Sequence, residues 1–370
     1  MIYNAIFEFS KWLLTAITGA PHESISTVIS AAVSCIIPVA FIVPFALFAV
    51  WLERKVSAWM QDRVGPVRVG KHGWLQTIAD ILKLLQKEDI IPTKADRKLF
   101  NIAPALAFAG CYGAFAVVPF SSAYIGSDIS LGLIYIVAVS SLVVAGILMA
   151  GWASNNKYSL LGAVRSAAQI ISYEIPTVLV ILTIVVVTGS LSLMELSIKQ
   201  SSNMFNWLIF GGYIGGWHKF AIIPFMLIGF VIMFISTLAE VNRTPFDIPE
   251  AESELVGGYH TEYTGMKFAM FFLAEYANMF AVSAILATVF FGGFQSPFGY
   301  LGNALGVHWL VPIEQFLWFT VKGLSFVFVQ MWLRWTLPRL RVDQLMNMCW
   351  KYLIPIAVVN LLVVALIMIL

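Results

Sequence analysis

The sequence predicts an all-α, polytopic membrane protein with about eight transmembrane helices and additional amphipathic interfacial helices, on three observations. Sixty per cent of its 370 residues are hydrophobic and 11% are charged, and mean hydropathy is +0.86, far from the balance of a water-soluble domain. Apolar runs of the roughly 20 residues needed to cross a hydrocarbon core about 30 Å thick recur along the chain. These runs are too long and too uniformly apolar for barrel strands, and in lipid only helices or closed barrels satisfy every backbone group.

The elements follow in order. The N-terminus, MIYNAIFEFSKWLLTAIT, has no basic start and carries Glu8 and Lys11 among apolar residues. Residues 1–26 therefore read as an outer, interfacial extension rather than a cleaved signal peptide. Residues 27–370 read as a single membrane domain, with spans at 27–52, 101–120, 131–153, 168–189, 220–240, 266–291, 311–333 and 351–370. Within the first loop, WLQTIADILKLLQKE places Trp74, Leu75, Ile78, Leu82 and Leu85 on one helical face and Asp80, Lys83 and Lys87 on the other. That segment is too short to span and suits a helix lying on lipid headgroups. SLMELSIKQ, residues 192–200, is a smaller helix in which Glu195 and Lys199 pair at i, i+4.

Eighteen of the twenty-two Lys and Arg residues fall in loops 53–100, 154–167, 241–267 and 334–351, which share one side if the first span runs inward. Lys11, Lys199 and Lys219 lie opposite, and Lys322 sits inside the seventh span. The positive-inside rule then places both termini outside and the long loops on the cytoplasmic or matrix face.

Several function classes drop out. A net charge of +2 with dispersed basic residues gives no reason to expect a nucleic-acid partner. Cys35 and Cys111 lie in apolar runs and Cys349 just before the last one, with no C-x-x-C spacing; they read as small buried packing residues, with neither a disulfide framework nor a metal or iron-sulfur site indicated. GPVRVGKH, residues 65–72, matches a phosphate loop as far as its lysine, but His72 stands where Ser or Thr should bind magnesium, Pro66 removes an amide proton, and no strand-then-helix context surrounds it.

The charge that does occur is concentrated. LAEVNRTPFDIPEAESELVGGYHTEY, residues 238–263, gathers six carboxylates around Arg243. Its interleaved Pro245, Phe246, Ile248, Pro249, Leu255 and Val256 suit a loop packed onto protein better than a solvated linker. Glu174, Glu275 and Lys322 fall within or near spans, and Glu240 closes the fifth. A charge near the bilayer centre costs about 2.5–3.5 kcal/mol on insertion scales, so each requires a partner, a wet cavity or neutralisation. For any one residue a locally paired side chain is a fair competitor; for the set it is weaker. Semi-buried carboxylates near one another can exchange protons near neutral pH, and a wire of that kind is expected for Glu174, Glu240, Glu275 and the loop acids Glu250, Glu252, Glu254 and Glu262. Pro176 is expected to disturb the helix beside Glu174 and make room for water. Arg54, Arg63, Arg68, Arg334, Arg339 and Arg341 lie at the same ends of the spans, suited either to anchoring orientation or to binding a polar headgroup or a partner's carboxylates.

Taken together, WLERK (51–55), QDRVGPVRVGKHGWLQTIADILKLLQKE (61–88), AAQIISYEIP (167–176), the 238–263 stretch and LPRLRVDQLMNMCWK (337–351) closely resemble the H-type membrane subunit of respiratory complex I, the proton-pumping NADH:quinone oxidoreductase. The resemblance implies an eight-helix subunit at the heel of the membrane arm, in the bacterial inner (plasma) membrane or the mitochondrial inner membrane. It implies as partners the hydrophilic quinone-site subunits, the adjacent antiporter-like membrane subunits and membrane lipid. It also implies quinone (ubiquinone or menaquinone) as substrate, with no catalytic redox centre, flavin, metal or iron-sulfur cluster in this chain. In the family the first span, the sixth span and the amphipathic helix of the first loop frame the quinone entrance. The pattern carries Arg54, Arg63 and Arg339 onto that passage, with Arg68 assigned to the same cavity and Phe246 and Asp247 in a loop beside it. Glu174, Glu240, Glu254 and Glu275 match the family's acidic path. The chain departs from many relatives at Val67, where asparagine is frequent, at Ala251, where glycine is frequent, and in residues 1–26.

Rival readings are the equivalent subunit of a related NDH-type or membrane-bound hydrogenase complex, and a stand-alone ion transporter. The NRTPFD that follows LAE resembles the NADH-linked respiratory group. A lone transporter leaves unexplained why so much charged loop lies on one face.

Overall fold

A computed structural model of the chain describes residues 6–11, 23–249 and 251–370, and no strand occurs among them. The helices run α1 (Glu23–Met60), α2 (Gln76–Gln86), α3 (Arg97–Ala114), α4 (Gly132–Ala153), α5 (Lys157–Thr188), α6 (Leu193–Lys199), α7 (Trp217–Glu240), α8 (Glu252–Leu255), α9 (Gly265–Phe290), α10 (Leu301–Ala304), α11 (Val311–Thr336), α12 (Val342–Asn347) and α13 (Ile354–Ile369), with a π-helical turn at Met348–Leu353 between the last two. A short helical segment at residues 6–11 is tied to the start of α1 by a Lys11–Glu23 ion pair of 2.8 Å.

Among the described residues seven helices are long and apolar enough to cross a membrane: α1, α4, α5, α7, α9, α11 with the turn before it, and the composite Val342–Ile369. The remaining expected span, 101–120, is α3, which starts earlier and stops at Ala114. Arg97, Lys98 and Asn101 at its N-terminal end dilute its apolar character, and tight turns at Phe115 and Ala116 end it. It packs closely on α4. A Cβ added to Gly146 would lie 2.8 Å from the backbone nitrogen of Ala107, and one on Gly110 would lie 2.9 Å from the backbone nitrogen of Val143. Small residues that let backbones approach this closely are what holds helices together where lipid supplies no hydrophobic drive.

Three helices tolerate an internal proline because a neighbour takes over the carbonyl that proline leaves without its i+4 donor. Pro38 frees Ser34, whose carbonyl accepts the Tyr124 hydroxyl at 3.0 Å. Pro104 frees Phe100, which accepts from Tyr263 at 3.2 Å. Pro176 frees Ser172, which accepts from the Cys349 thiol at 3.1 Å. Cys111 and Cys349 are buried, as expected of packing residues. Cys35 is exposed, because the N-terminal half of α1 turns much of its surface outward.

The basic loops converge at one end of the bundle. Asp96 donates its backbone N–H to Ala153, Leu340 donates to Pro245, Asn156 reaches Glu262, and Lys267 pairs with Asp89 at 2.7 Å. At the other end lie α6, capped by Ser192 and carrying its Glu195–Lys199 pair at 2.8 Å, and the 204–216 segment. Helix α2 is turned with its apolar face outward: Trp74, Leu75, Ile78, Leu82 and Leu85 are all exposed. A surface helix on a soluble protein would bury that stripe; here the chain leaves it uncovered. Residues 65–70 are an irregular, bent segment that leads into a single 3-10 turn at Lys71–Gly73, with no strand before it.

Candidate site: a buried charge cluster and two cavities that share Glu240

The loop that follows α7 is drawn into the protein. Residues 241–249 are all buried. Gln169 of α5 holds them by donating its amide to the carbonyls of Ala239 (2.7 Å) and Phe246 (2.9 Å) and to the Asn242 side chain (3.0 Å). Gly162, one turn-pair earlier on α5, packs against Gly258, where a Cβ would come within 2.9 Å of backbone. Both ends of the acidic loop are thereby fixed to α5.

This clamping places Arg243 between α1 and α9. Its Nη1 lies 2.9 and 3.0 Å from the two carboxylate oxygens of Glu53, and its Nε lies 2.9 Å from Glu275. Tyr276, the next residue of α9, donates its hydroxyl to Glu53 at 2.7 Å, and its ring lies 4.7 Å beneath the guanidinium. Arg334 of α11 also pairs with Glu53. Two carboxylates and two guanidinium groups thus balance within a region where the Arg243 side chain is 3% exposed. Burial opposes the charge on Arg243, but Glu275 and Glu53 outweigh it and hold the guanidinium well above its usual range. Asp247 is buried and pairs with the half-exposed Arg339 at 2.8 Å. Phe246 is buried, its ring centroid 5.4 Å from that of Tyr173 and tilted 60° to it.

Glu240 lines two small cavities, each of about 30 Å³. One is shared with Glu174, Ser140, Thr177 and Thr237, and the other with Asn242, Glu275 and Asn278. Each is large enough for a water molecule, which needs roughly 10–15 Å³ of this measure and two or more polar partners. Glu174 accepts a hydrogen bond from Ser140 at 2.9 Å. The structure therefore brings Glu174, Glu240 and Glu275 together in sequence, and Arg243 joins the last of them to Glu53.

The other acids behave differently. Glu254 pairs with Arg165 at 2.6 Å on the surface. Glu262 accepts from Asn156 at 2.6 Å. Glu250 lies outside the described residues, as does the side chain of Glu252. Lys322 is locally satisfied: its ammonium donates to the carbonyls of Phe291 (2.6 Å), Gly293 (2.9 Å) and Gln295 (2.6 Å), just past the C-terminus of α9, where a cation is favoured.

A larger cavity of about 330 Å³ opens between the end of α1, helix α2 and the start of α9, lined by Arg54, Asp80, Lys83, Lys87, Tyr263 and Phe268 among others. Arg54 and Asp80 pair across it at 2.6 Å. Arg63 and Arg68 are exposed in the loop beyond α1.

Glu53, Gln169 and Tyr276 carry this arrangement and were not singled out from the sequence. Glu53 is flanked by Arg54 and Lys55, which makes it look like a solvated interfacial acid. Helical spacing held the signal: Ile42, Phe45, Ala46, Ala49 and Val56 are buried on one face of α1, and Glu53 follows Ala49 by four residues on that same face.

The family described as NADH dehydrogenase matches residues 33–365. The H-type NADH-quinone oxidoreductase subunit of Chlorobium luteolum is 54% identical over 336 residues, covering 90% of this chain and 88% of that protein. Its namesake from Brevibacillus brevis is 46% identical over 334 residues, covering 90% and 91%. That from Bacteroides fragilis is 43% identical over 371 residues, covering 98% and 99%.

Proposed function

The chain belongs to the NADH dehydrogenase family, and from that premise we propose that it is the H-type membrane subunit of a proton-translocating NADH-quinone oxidoreductase. In this reading it works alongside hydrophilic quinone-site subunits and antiporter-like membrane subunits, with the basic end of the bundle on the cytoplasmic or matrix side. Quinone enters from lipid through the 330 Å³ cavity between α1, α2 and α9, whose rim carries Arg54. The outward apolar face of α2 supports this, since it sets that mouth at headgroup depth. Reducing the quinone to quinol consumes two electrons, delivered by a partner subunit, and two protons. The chain supplies the passage and the carboxylates that exchange protons.

The observation that carries the coupling is the position of Glu240, which lines one cavity with Glu174 and another with Glu275. Glu53 and Arg54 are consecutive on α1 and so are rotated by about 100° from one another, which turns the residue at the quinone mouth and the acid held by Arg243 to different faces of one helix. Charge arriving in a water-poor cavity alters the electrostatic balance within the Glu53–Arg243–Glu275 cluster. A change in proton occupancy there passes through Glu240 to Glu174. Asp247 with Arg339, and Phe246 behind them, fix the loop at the inner end of the passage; Arg63 and Arg68 present positive charge beyond α1. In this reading the loop acids Glu254 and Glu262 take up protons for the path while held by Arg165 and Asn156.

The test is Glu240→Gln and Glu275→Gln in the assembled complex, with quinone reduction and proton translocation measured in the same vesicles. Each change is expected to lower proton translocation at least about tenfold, the effect of removing a positioned acid–base group, in particles of normal subunit composition. Full quinone reduction and full pumping with both changes in place would end the proposal.

A further inference from the structure

The cavity that Glu174 shares with Glu240 extends toward the end of the bundle away from the basic loops. Its walls include Leu133, the second residue of α4, and Ile285 of α9. Leu133 donates its backbone N–H to Leu191, in the connection before α6, so along α4 the cavity stops within a turn of that end. Beyond Ile285, α9 continues through Leu286, Val289 and Phe290, all fully buried. The turn that closes α9 is then pinned from two sides. Gln200, the residue after α6, donates its amide to the carbonyls of Thr288 (3.0 Å) and Val289 (3.1 Å) and accepts from the backbone N–H groups of Leu208 (3.2 Å) and Gly292 (2.9 Å). Lys322 fills the carbonyls of Phe291, Gly293 and Gln295, and its Nζ lies 4.2 Å from the centre of the Trp207 ring. Gly292 and Gly293, with φ of +74° and +53°, leave no space in this turn: a Cβ would meet Trp207 Nε1 at 2.6 Å and Ser197 Oγ at 2.5 Å.

We infer that Lys322, with Gln200, seals this end of the chain against protons, so that those exchanged between Glu240 and Glu174 do not escape through it. Two properties of the turn do this. Its carbonyls are already filled, which leaves entering water few polar groups to follow, and the group that fills three of them is a cation. Three oxygens converge on Nζ, one for each N–H of an ammonium, whereas a neutral amine has only two to give. Those oxygens and the Trp207 ring are neutral, and no carboxylate among the described residues joins them. The positive charge therefore acts outward, on whatever approaches. Phe291 lies six residues past Ile285, about 9 Å along the helix, and at that range one charge in an effective dielectric of about 20 lowers the local occupancy of a proton about tenfold. The inference rests on the reading of Glu240 and Glu174 as a proton path.

The test uses the intact purified complex in proteoliposomes with entrapped pyranine, no electron donor, and a potassium gradient clamped by valinomycin to drive protons inward. Lys322→Met is expected to admit protons about tenfold faster than the parent. Lys322→Gln drops the charge but keeps two N–H donors for the turn, and it carries the same expectation where methionine prevents assembly. Lys322→Arg keeps the charge and is expected to leak least of the three. Adding Glu240→Gln to either uncharged variant is expected to return the leak to the parent rate, a response that a merely loosened bundle does not give. A leak that neither uncharged variant raises, that is as fast in Lys322→Arg, or that Glu240→Gln leaves untouched overturns the seal. Glu240→Gln alone separates the two failures: full proton pumping in that variant removes the path and the seal with it, whereas lost pumping with no leak at Lys322 removes only the seal.

Discussion

Replacing Arg243 with methionine keeps the length of the side chain and removes its charge, leaving Glu53 with Arg334 and Glu275 with no cation in the cluster. Three contacts between 2.9 and 3.0 Å disappear from a site where the Glu53 and Glu275 side chains are 7% and 12% exposed. Breaking a buried pair from one side costs about 3–5 kcal/mol, because the partner's charge stays behind without compensation. Arg334 continues to hold Glu53, so the lower half of that range, about 3–4 kcal/mol, is expected. With an unfolding entropy of roughly 2.1 cal/mol/K per residue over a chain of this length, that corresponds to a fall in Tm of about 5 °C. Cys111 and Cys349 are buried and free, so their rate of alkylation against temperature, read by mass spectrometry in the assembled complex, reports the unfolding of this chain specifically. Arg243→Lys keeps the charge but not the fork that reaches two carboxylates, and is expected to fall between. The decisive variant is Arg243→Met combined with Glu275→Gln, which removes the orphaned charge and is expected to recover about 2 kcal/mol. A single variant that melts within 1 °C of the parent, or a double variant whose loss is the plain sum, would refute the reasoning, since the carboxylates would then not depend on Arg243.

Two further outcomes follow from groups at the edges of the site. His260 is half-buried against Tyr259, Phe268 and Phe272, and that burial holds its imidazole down to about 4 from an ordinary 6.5. The unfolded chain therefore binds the proton more readily between those values, so local stability is complete above pH 6.5 and falls by up to roughly 3 kcal/mol as pH drops toward 4. Hydrogen exchange of peptides covering 256–268 is expected to accelerate over that window, and His260→Leu is expected to abolish the dependence. Tyr263→Phe removes the donor to the carbonyl that Pro104 leaves free and is expected to cost about 1–3 kcal/mol. Adding Pro104→Ala restores an N–H to Phe100 and should return most of the loss; no rescue in the same melting assay would count against the proline account.

How much of this was legible in the sequence depends on the length over which each signal is written. The spans were, because an apolar run of about 20 residues has one physical outcome in lipid. Helix α2 was also legible, since the alternation of Ile78, Leu82 and Leu85 with Asp80, Lys83 and Lys87 fixes two faces, and a segment too short to span leaves its apolar face to be turned outward. Helix α3 was placed by its apolar centre and missed at its ends, where Arg97 and Lys98 belong to the helix although their charge argues for a loop. Glu174, Glu240 and Glu275 stood out as acids in or beside apolar runs. Glu53 did not, because its burial is created by Arg243, 190 residues later, through Gln169 on a third helix.

The same long-range dependence explains why the loop after α7 is at once acidic, stiff and buried. Gln169 can hold it only if the backbone carbonyls of Ala239 and Phe246 face α5, and that orientation is what carries Arg243 toward α1 and α9. Arg243 in turn is tolerable in a buried position only because Glu53 and Glu275 arrive from two different helices, so neither acid nor base can be placed without the other. A loop built this way cannot relax around a change in one member, whether that change is a substitution or a proton. Its charges therefore respond together, which is the property the proposed coupling role requires, and which an acid paired at the surface, as Glu254 is with Arg165, does not have.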